Sequence, residues 1–359
     1  MSIDLADVQT HVLRSVAPHV AVFIFFRIVK PKTFREFLGS ALRPDSDTEP
    51  LAAIRSEATR SPKGAHRFYT HIAFTHAGLR ALEVDPETLG TFPEPFRDGM
   101  ARRAAILGDT GPAAPEHWDG YLGSREVHGV MWWLFSRRAD SGIGKPREPV
   151  QALRDLVEQA GATVLHHETG QGNFRHYAGG ELDSVEHFGF RDGLSQPWVE
   201  LGAGAPPPGG GTPGADGSWA PLAPGEFLLG YPDEDGLVQP WPCNRALRQS
   251  GTYMVFRKLE QDVLGFREFL RAGGRGEQEA TRLAANLIGR WPDGRSLVSA
   301  SGNTAQGRNA SINDFRYQKE DPSGRRCPIR PKKGPRRDSR ASNRVCAGSD
   351  STTRQALTG

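Results

Sequence analysis

Apolar residues recur along the first half of the chain at two different spacings, and these spacings predict its elements. Residues 21–29 form a continuous apolar run rich in Phe, Ile and Val, which predicts a buried strand. Three further strands are predicted at residues 67–74, 127–135 and 162–167. Helical spacing predicts helices at residues 33–42, 75–82, 100–107 and 149–160. This alternation predicts an α+β domain with an antiparallel sheet, in the ferredoxin-like pattern.

The second half of the chain also mixes strand and helix signals. Short strands are predicted at residues 226–231 and 251–259, the latter because Tyr, Val and Leu alternate with polar residues. Helices are predicted at residues 261–272 and 278–288, and Gly289 is expected to end the second helix as its C-cap. Residues 202–217 are rich in Gly, Pro and Ala and predict a surface loop.

The composition indicates a water-soluble globular protein with two domains. The chain has 359 residues, of which 37% are hydrophobic and 24% are charged. An apolar run at residues 20–26 is too short to span a membrane, and it lacks the basic leader of a signal peptide. The three cysteines, Cys243, Cys327 and Cys346, are widely spaced, which favours a reducing compartment, the cytoplasm.

Positive charge is concentrated at the end of the sequence. Residues 325–359 contain ten Lys or Arg against two Asp, so this tail carries +8 while the whole chain carries +3. The preceding 324 residues therefore sum to −5. The tail holds few large apolar residues and is predicted to be disordered. It also lacks aromatic residues between its charges, which favours a solvated charge run over a nucleic-acid-binding surface.

The histidines give no metal-binding pattern. No pair of histidines or carboxylates has the spacing of a zinc site. His166 and His167 are neighbours on a predicted strand, so they point to opposite faces of the sheet. His71 and His128 are interpreted as partly buried structural histidines.

The stretch from residue 187 to residue 197 carries the candidate chemistry of the chain. Asp192 directly precedes Gly193, where the backbone can turn sharply, and Gly189 leaves room for a flat ligand to approach. Phe188 and Phe190 indicate an apolar neighbourhood, and a carboxylate in such a place suits proton transfer. The alternative is an ordinary Asp-Gly turn in solvent.

Residues 189–193, Gly-Phe-Arg-Asp-Gly, resemble the Gly-x-x-Asp-Gly motif of the dye-decolourising (DyP-type) haem peroxidases. The resemblance extends to further segments at residues 73–79, 99–103, 194–197, 225–232 and 251–263. It implies two ferredoxin-like domains with antiparallel sheets. These domains are expected at residues 1–175 and at residues 176–324, the second one haem-binding and incomplete.

The same resemblance implies a function. It implies a haem-dependent peroxidase with haem b as cofactor, hydrogen peroxide as oxidant, and a dye, a phenol or another small organic molecule as reductant. Asp192 is implied as the acid/base on the peroxide side. Cofactor contacts are implied for Gly189, Phe190, Gly193, Leu194 and Arg257. We expect no membrane partner, and self-association is left open.

Electron relay is a further possibility that the sequence raises. Four tryptophans are candidates for it, namely Trp132, Trp133, Trp241 and Trp291. Large aromatic side chains belong to the core more often than to a relay, so the core interpretation is favoured.

The sequence departs from the family pattern after residue 329. In the family, Cys-Pro-x is followed by Gly-Ala-His, and this histidine is the axial ligand of the haem iron. Cys327 and Pro328 are present, but ungapped counting places Lys332 at the histidine position, and no histidine follows His187. A lysine ammonium, with an ordinary pKa of about 10.4, must lose its proton before it can ligate a metal.

This departure leaves alternatives to peroxidase activity. One is a non-catalytic binding remnant of the family, and another is binding to nucleic acid or an anionic surface through residues 325–359. The abrupt loss of resemblance also fits an out-of-frame reading of a GC-rich gene, which is a hypothesis that resequencing would test.

Overall fold

A computed structural model describes residues 3–13, 20–41, 68–135, 149–176, 182–201, 204–214, 218–274, 276–297 and 313. Internal contacts divide the chain into two compact units. The first unit comprises residues 1–172, 199–202 and 223–255, and the second comprises residues 173–198, 203–222 and 256–359. The sequence predicts that two separately folding domains meet between residues 175 and 176, and this boundary stays a prediction.

A four-stranded antiparallel sheet forms the centre of the first unit. Its strands are β1 (Val20–Ile28), β2 (Phe68–Phe74), β3 (Gly129–Phe135) and β4 (Ala162–Gln171). Their order across the sheet is β2-β3-β1-β4, and each neighbouring pair is antiparallel. This is the strand order of a ferredoxin-like domain, so the α+β prediction is confirmed for the first half of the chain.

Two helices cover one face of this sheet. They are α1 (Pro31–Ala41) and α6 (Pro149–Gln159), the first and the last helix of the unit's βαβ segments. Every second residue of β1 from Val22 to Ile28 faces them, because side chains alternate along a strand. Phe34, Trp133 and Leu153 are almost fully buried in the same core. Burial of this apolar surface stabilises the layer at about 25 cal/mol per Å².

The N-terminal segment contributes to the opposite side of the sheet. The Gln9 side chain donates to the Ile72 carbonyl and accepts from the Ile72 N–H, both at 3.0 Å, so it protects part of edge strand β2. Thr10 Oγ1 lies 2.9 Å from His71 Nε2, and the His71 ring stacks on Trp132 at 5.1 Å. His71 is fully buried, as a structural histidine would be.

Short helices connect β2 to β3. They are α2 (His76–Ala81), α3 (Pro86–Gly90), α4 (Glu94–Asp98) and α5 (Ala104–Leu107). Local capping starts two of them, because Thr75 accepts from the Gly78 N–H and Asp85 accepts from the Thr88 N–H. The predicted helix at residues 100–107 is divided into a 3-10 turn at Ala101–Arg103 and the four residues of α5.

Two predicted strands of the second half are wrong. Residues 227–231 form turns after a 3-10 segment at Pro224–Glu226, because the Gly225 N–H bonds the Pro232 carbonyl and closes a tight loop. Leu228 and Tyr231 are nevertheless buried, in a cluster with Val8. Within the described residues no strand pairs with residues 251–262, which are irregular, and a strand is stable only beside a partner.

Two further helices and two short ladders make up the described second unit. The helices are α8 (Val263–Gly273) and α9 (Glu277–Ile288), and both agree with the predicted positions. Gly289 ends α9 with φ +86°, which confirms the predicted C-cap. The antiparallel ladders pair β5 (Phe174–His176) with β6 (Leu182–Ser184), and β7 (Thr212–Pro213) with β8 (Trp219–Ala220).

The remaining helix, α7 (Arg245–Arg248), belongs to the first unit and is capped by the Asn244 side chain. In the part of the chain that the structure describes, no helix is long and apolar enough to cross a membrane. Trp132 and Trp133 are buried in the first unit, which supports their interpretation as core residues.

Gly78 gives a direct test of the packing between α2 and the segment before β3. A Cβ at Gly78 would lie 1.8 Å from the His128 carbonyl oxygen, whereas a Cβ at Gly39 in α1 would meet no atom within 4 Å. Gly78→Ala should therefore lower the free energy of unfolding by about 2 kcal/mol. Gly39→Ala should raise it by about 0.5–1 kcal/mol. Urea denaturation measures both, and equal stability of the two variants would contradict this packing.

His128 should make the first unit sensitive to acid. The Ile28 N–H donates to His128 Nδ1 at 3.1 Å, and burial together with the charges of Arg27 and Arg80 lowers the His128 pKa below its ordinary 6.5. As the pH falls, the unfolded chain therefore takes up the His128 proton before the folded protein does. The contribution of the Ile28–His128 hydrogen bond to stability is complete above pH 6.5 and is lost as the pH falls through the folded pKa of His128.

The expected loss is about 1 kcal/mol, the net worth of one hydrogen bond. His128→Asn is the control, because its amide oxygen can accept the same N–H and does not titrate. Denaturation at a series of pH values should show a flatter dependence in His128→Asn. The same slope in both proteins would refute the assignment.

Candidate functional site

A closed loop after β6 presents Asp192. Val185 and Arg191 form an isolated antiparallel bridge, so the chain leaves and returns at the same place. The Asp192 N–H then donates to the Ser184 carbonyl at 3.0 Å, and Ser184 Oγ donates to the Asp192 carbonyl at 3.3 Å. The backbone of Asp192 is thereby held against the end of β6.

Glu186 accepts or donates most of the hydrogen bonds inside this loop. Its N–H donates to the Phe190 carbonyl at 2.9 Å, and its carbonyl accepts from the Gly189 N–H at 3.0 Å. Its carboxylate accepts from the Phe188 N–H through Oε2 and from the Phe190 N–H through Oε1, both at 2.7 Å. These distances are in the range of charge-assisted hydrogen bonds.

Arg191 joins the loop to the turn after α9. Its guanidinium pairs with Asp183, and both side chains are largely buried. Its N–H donates to the Pro292 carbonyl at 2.9 Å, and its Nη1 donates to the Asp293 carbonyl at 3.4 Å. Two segments that are far apart in sequence therefore meet at one arginine.

An apolar cluster lies beneath the loop. Phe190 is only 5% exposed and packs with Leu270 of α8 and Ala284 of α9. The Phe188 and Phe266 rings lie 4.6 Å apart at the edge of the same cluster. An apolar neighbourhood is thus present beneath the loop and is supplied by the two helices, but the prediction placed the Asp192 carboxylate in it, and that side chain is exposed.

The Asp192 side chain itself is exposed. Its Oδ1 accepts from the Gly193 N–H at 2.7 Å, which orients the carboxylate over the turn. Gly189 and Gly193 both have positive φ, at +99° and +72°. A Cβ at Gly189 would make ordinary contact with Arg175 Nη2 at 3.6 Å, and one at Gly193 with Gln196 Nε2 and Ser184 Oγ at 3.9 Å, so neither position is sterically crowded.

Leu194 and Asn313 extend the loop's contacts. A Cβ at Gly294 would lie 2.4 Å from Leu194 Cδ1, so Leu194 packs directly on that turn. The Asn313 amide donates to the Leu194 carbonyl at 2.6 Å and accepts from Arg290 at 2.8 Å. Sequence reasoning placed Asn313 in a segment that resembles the family but did not predict its contacts, and it did not single out Glu186, because a polar residue of this kind has no local pattern that predicts its partners.

Arg257 is exposed and lies in irregular backbone, so the prediction that it stands on a strand is wrong. The physical reason is the same as for residues 251–262 as a whole, which have no paired strand in the described structure. Its implied contact to a cofactor stays a prediction.

Two histidines occur in the sequence of the second unit, and both are exposed. The Asn173 amide nitrogen lies 3.1 Å from His187 Nδ1, and His176 is in β5. Within the described ranges no group of three His, Cys, Asp or Glu could hold a metal ion. Lys332 and the basic residues 325–359 lie outside the described part of the chain.

Comparison with known proteins agrees with this fold. A family profile described as the DyP dimeric alpha+beta barrel domain matches residues 7–175. A dye-decolorizing peroxidase of Mycena epipterygia is 27% identical over 311 residues, which are 82% of this chain and 50% of the relative. A multifunctional dye peroxidase of an Amycolatopsis species is 32% identical over 272 residues, covering 74% of this chain and 53% of the relative.

The solved structures show the same fold. A crystal structure of DyP aligns with a TM-score of 0.66 at 24% identity, covering 88% of this chain and 64% of that chain. The chain spans about half the length of the curated relatives that it matches. The fold is of the α+β class. Residues 7–175 match the DyP barrel-domain family, and the chain is similar to dye-decolorizing peroxidases over most of its length.

Phe190 should anchor the loop energetically. Phe190→Ala removes a buried ring and should lower the free energy of unfolding by about 3–5 kcal/mol. Phe269 on α8 is 58% exposed, so Phe269→Ala is the matched control and should change stability by about 0.5 kcal/mol or less. Chemical denaturation checks both. A small loss in Phe190→Ala would mean that the loop does not depend on this cluster.

Proposed function

We propose that the chain is a haem-dependent peroxidase that reduces hydrogen peroxide and oxidises organic molecules such as dyes or phenols, with Asp192 as its acid/base. The observation that carries the proposal is the exposed Asp192 carboxylate, oriented by the Gly193 N–H on a loop that is hydrogen-bonded at both ends. The family supports the same reaction class, since the relatives it matches are dye-decolorizing peroxidases.

The residues around Asp192 fit one side of a haem. Gly189 and Gly193 put no side chain over their own backbone, so a flat ring would be able to approach it there. Leu194 contributes apolar surface, and Phe190 supports the loop from beneath. Arg257, an exposed cation, would pair with a carboxylate of the cofactor. Haem b, when bound, supplies a redox-active iron at which peroxide is reduced.

Asp192 supplies the proton transfer. Its carboxylate accepts a proton from one oxygen of hydrogen peroxide and returns it to the other oxygen, so that the O–O bond breaks and water leaves. Oδ1 is held by the Gly193 N–H, and Oδ2 is the atom that we assign to the transfer. Over the whole reaction the organic reductant would supply two electrons and two protons, so that both oxygens of hydrogen peroxide leave as water.

Two other functions follow from the sequence. Lys332 at the position of the axial histidine favours a binding protein without turnover, and the +8 charge of residues 325–359 favours an anionic partner. The absorption spectrum after haem addition separates the first of these from a peroxidase. Retention on DNA that disappears when residues 325–359 are deleted would support the second.

Asp192→Asn tests the assignment. The amide keeps the size of the side chain and can still accept from the Gly193 N–H, but it cannot take a proton. Peroxide-dependent oxidation of a phenol should fall by about 10²-fold or more. Asp235→Asn, an exposed residue of the first unit, should leave turnover unchanged. Full turnover in Asp192→Asn would remove Asp192 from the mechanism, and inactivity of the unchanged haem-loaded chain would refute the function itself.

A further inference from the structure

We propose that Glu186 positions Asp192, by using its carboxylate to hold the loop of residues 186–190 in one conformation. This inference rests on the proposed function, since it identifies what places the acid/base. It starts from the hydrogen bonds of Glu186 described above. The N–H groups of Phe188, Gly189 and Phe190 all donate to Glu186.

The loop has few regular hydrogen bonds of its own. Residues 186–190 belong to no helix or strand, so their N–H groups need acceptors that the sheet does not supply. Glu186 supplies three acceptor atoms, its carbonyl oxygen and both carboxylate oxygens. The side chain is partly buried, where a charge-assisted bond is stronger than in open solvent.

This set of bonds continues directly to Asp192. Phe190, whose N–H and carbonyl both bond Glu186, inserts its ring into the apolar cluster. Arg191 follows and forms the bridge to Val185. Asp192 comes next, two residues after the last Glu186 contact. Because a misplacement of 1 Å at a reacting group costs about 10²-fold in rate, loosening the loop should reduce proton transfer.

The chemistry requires a carboxylate at this position. Glu186 offers two acceptor oxygens to two N–H donors. A glutamine has one carbonyl oxygen and one NH₂ group, so one backbone N–H would face a second donor. Glutamine is therefore a poor replacement even though it has the same shape. Aspartate keeps both acceptors on a shorter side chain, and it commonly accepts from the N–H two residues on.

The experiment compares Glu186→Gln with Glu268→Gln in the full chain. Glu268 is an exposed residue of α8, so its variant is the same chemical change in the same unit. NMR of protein labelled at phenylalanine and glycine nitrogen reports the loop without any need for haem. In Glu186→Gln the Phe188 and Phe190 amides should exchange with solvent faster, and the Gly193 resonance should shift. Glu268→Gln should leave all three as in the unchanged protein.

Turnover is measured on the same proteins after haem addition. Glu186→Gln should lower kcat by about tenfold to 10²-fold and leave KM for the phenol unchanged, because the loop places a proton-transfer group. Glu186→Asp should recover part of both the Phe188 protection and the turnover. The Glu186→Asp variant also keeps the test valid if circular dichroism shows that Glu186→Gln does not fold properly.

Each outcome decides the inference. Unchanged amide exchange, or an unshifted Gly193 resonance, in folded Glu186→Gln overturns it. Faster exchange with undiminished kcat also overturns it, because the loop would then not govern proton transfer. If the unchanged chain has no peroxidase activity, the proposed function fails, and the Gly193 resonance still decides whether Glu186 positions the Asp192 turn.

Discussion

Backbone N–H groups that leave regular structure still need acceptors, and this constraint shapes the candidate site. The loop that presents Asp192 meets it through Glu186, whose carboxylate accepts from Phe188 and Phe190. A carboxylate is suited to this task, because it has two acceptor oxygens and carries no donor. The same few hydrogen bonds within residues 186–190 determine the conformation of the loop. The burial of Phe190 and the direction of the Asp192 backbone depend on them as well.

The first unit satisfies the same constraint mainly through its sheet. Strand β1 has a partner on each side, so its backbone groups are paired within the sheet. At the edge and at the strand ends of the sheet, side chains are the hydrogen-bond partners of backbone groups. Gln9 bonds both backbone groups of Ile72 on the edge strand, and His128 accepts from the Ile28 N–H beyond the end of the β1–β3 ladder. A neutral imidazole is needed for the last of these bonds, which connects the packing of the unit to pH.

The second unit combines this polar network with apolar support. Helices α8 and α9 bury Phe190 from below, while Arg191 and Asn313 bond the loop to the segment that follows α9. The Arg191–Asp183 pair is largely buried, and the arginine also donates to the Asp293 carbonyl, so its charge is compensated. Rigidity in the loop and exposure of the Asp192 carboxylate are therefore compatible.

The sequence by itself determined those helices, strands and caps that depend only on residues close together in the chain. Several elements follow from neighbouring residues, namely the apolar run of β1, the Thr75 cap, the positions of α8 and α9 and the Gly289 C-cap. Gly189 and Gly193 mark the turn around Asp192. Residues 226–231 and 251–259 carry similar strand signals, but a strand also requires a partner that no local pattern encodes. From the sequence alone, Glu186 would be interpreted as an ordinary solvent-exposed carboxylate. Only the tertiary structure folds the chain back so that its carboxylate meets the N–H groups of the loop, because that meeting depends on a positive φ at Gly189 and on the bridge between Val185 and Arg191.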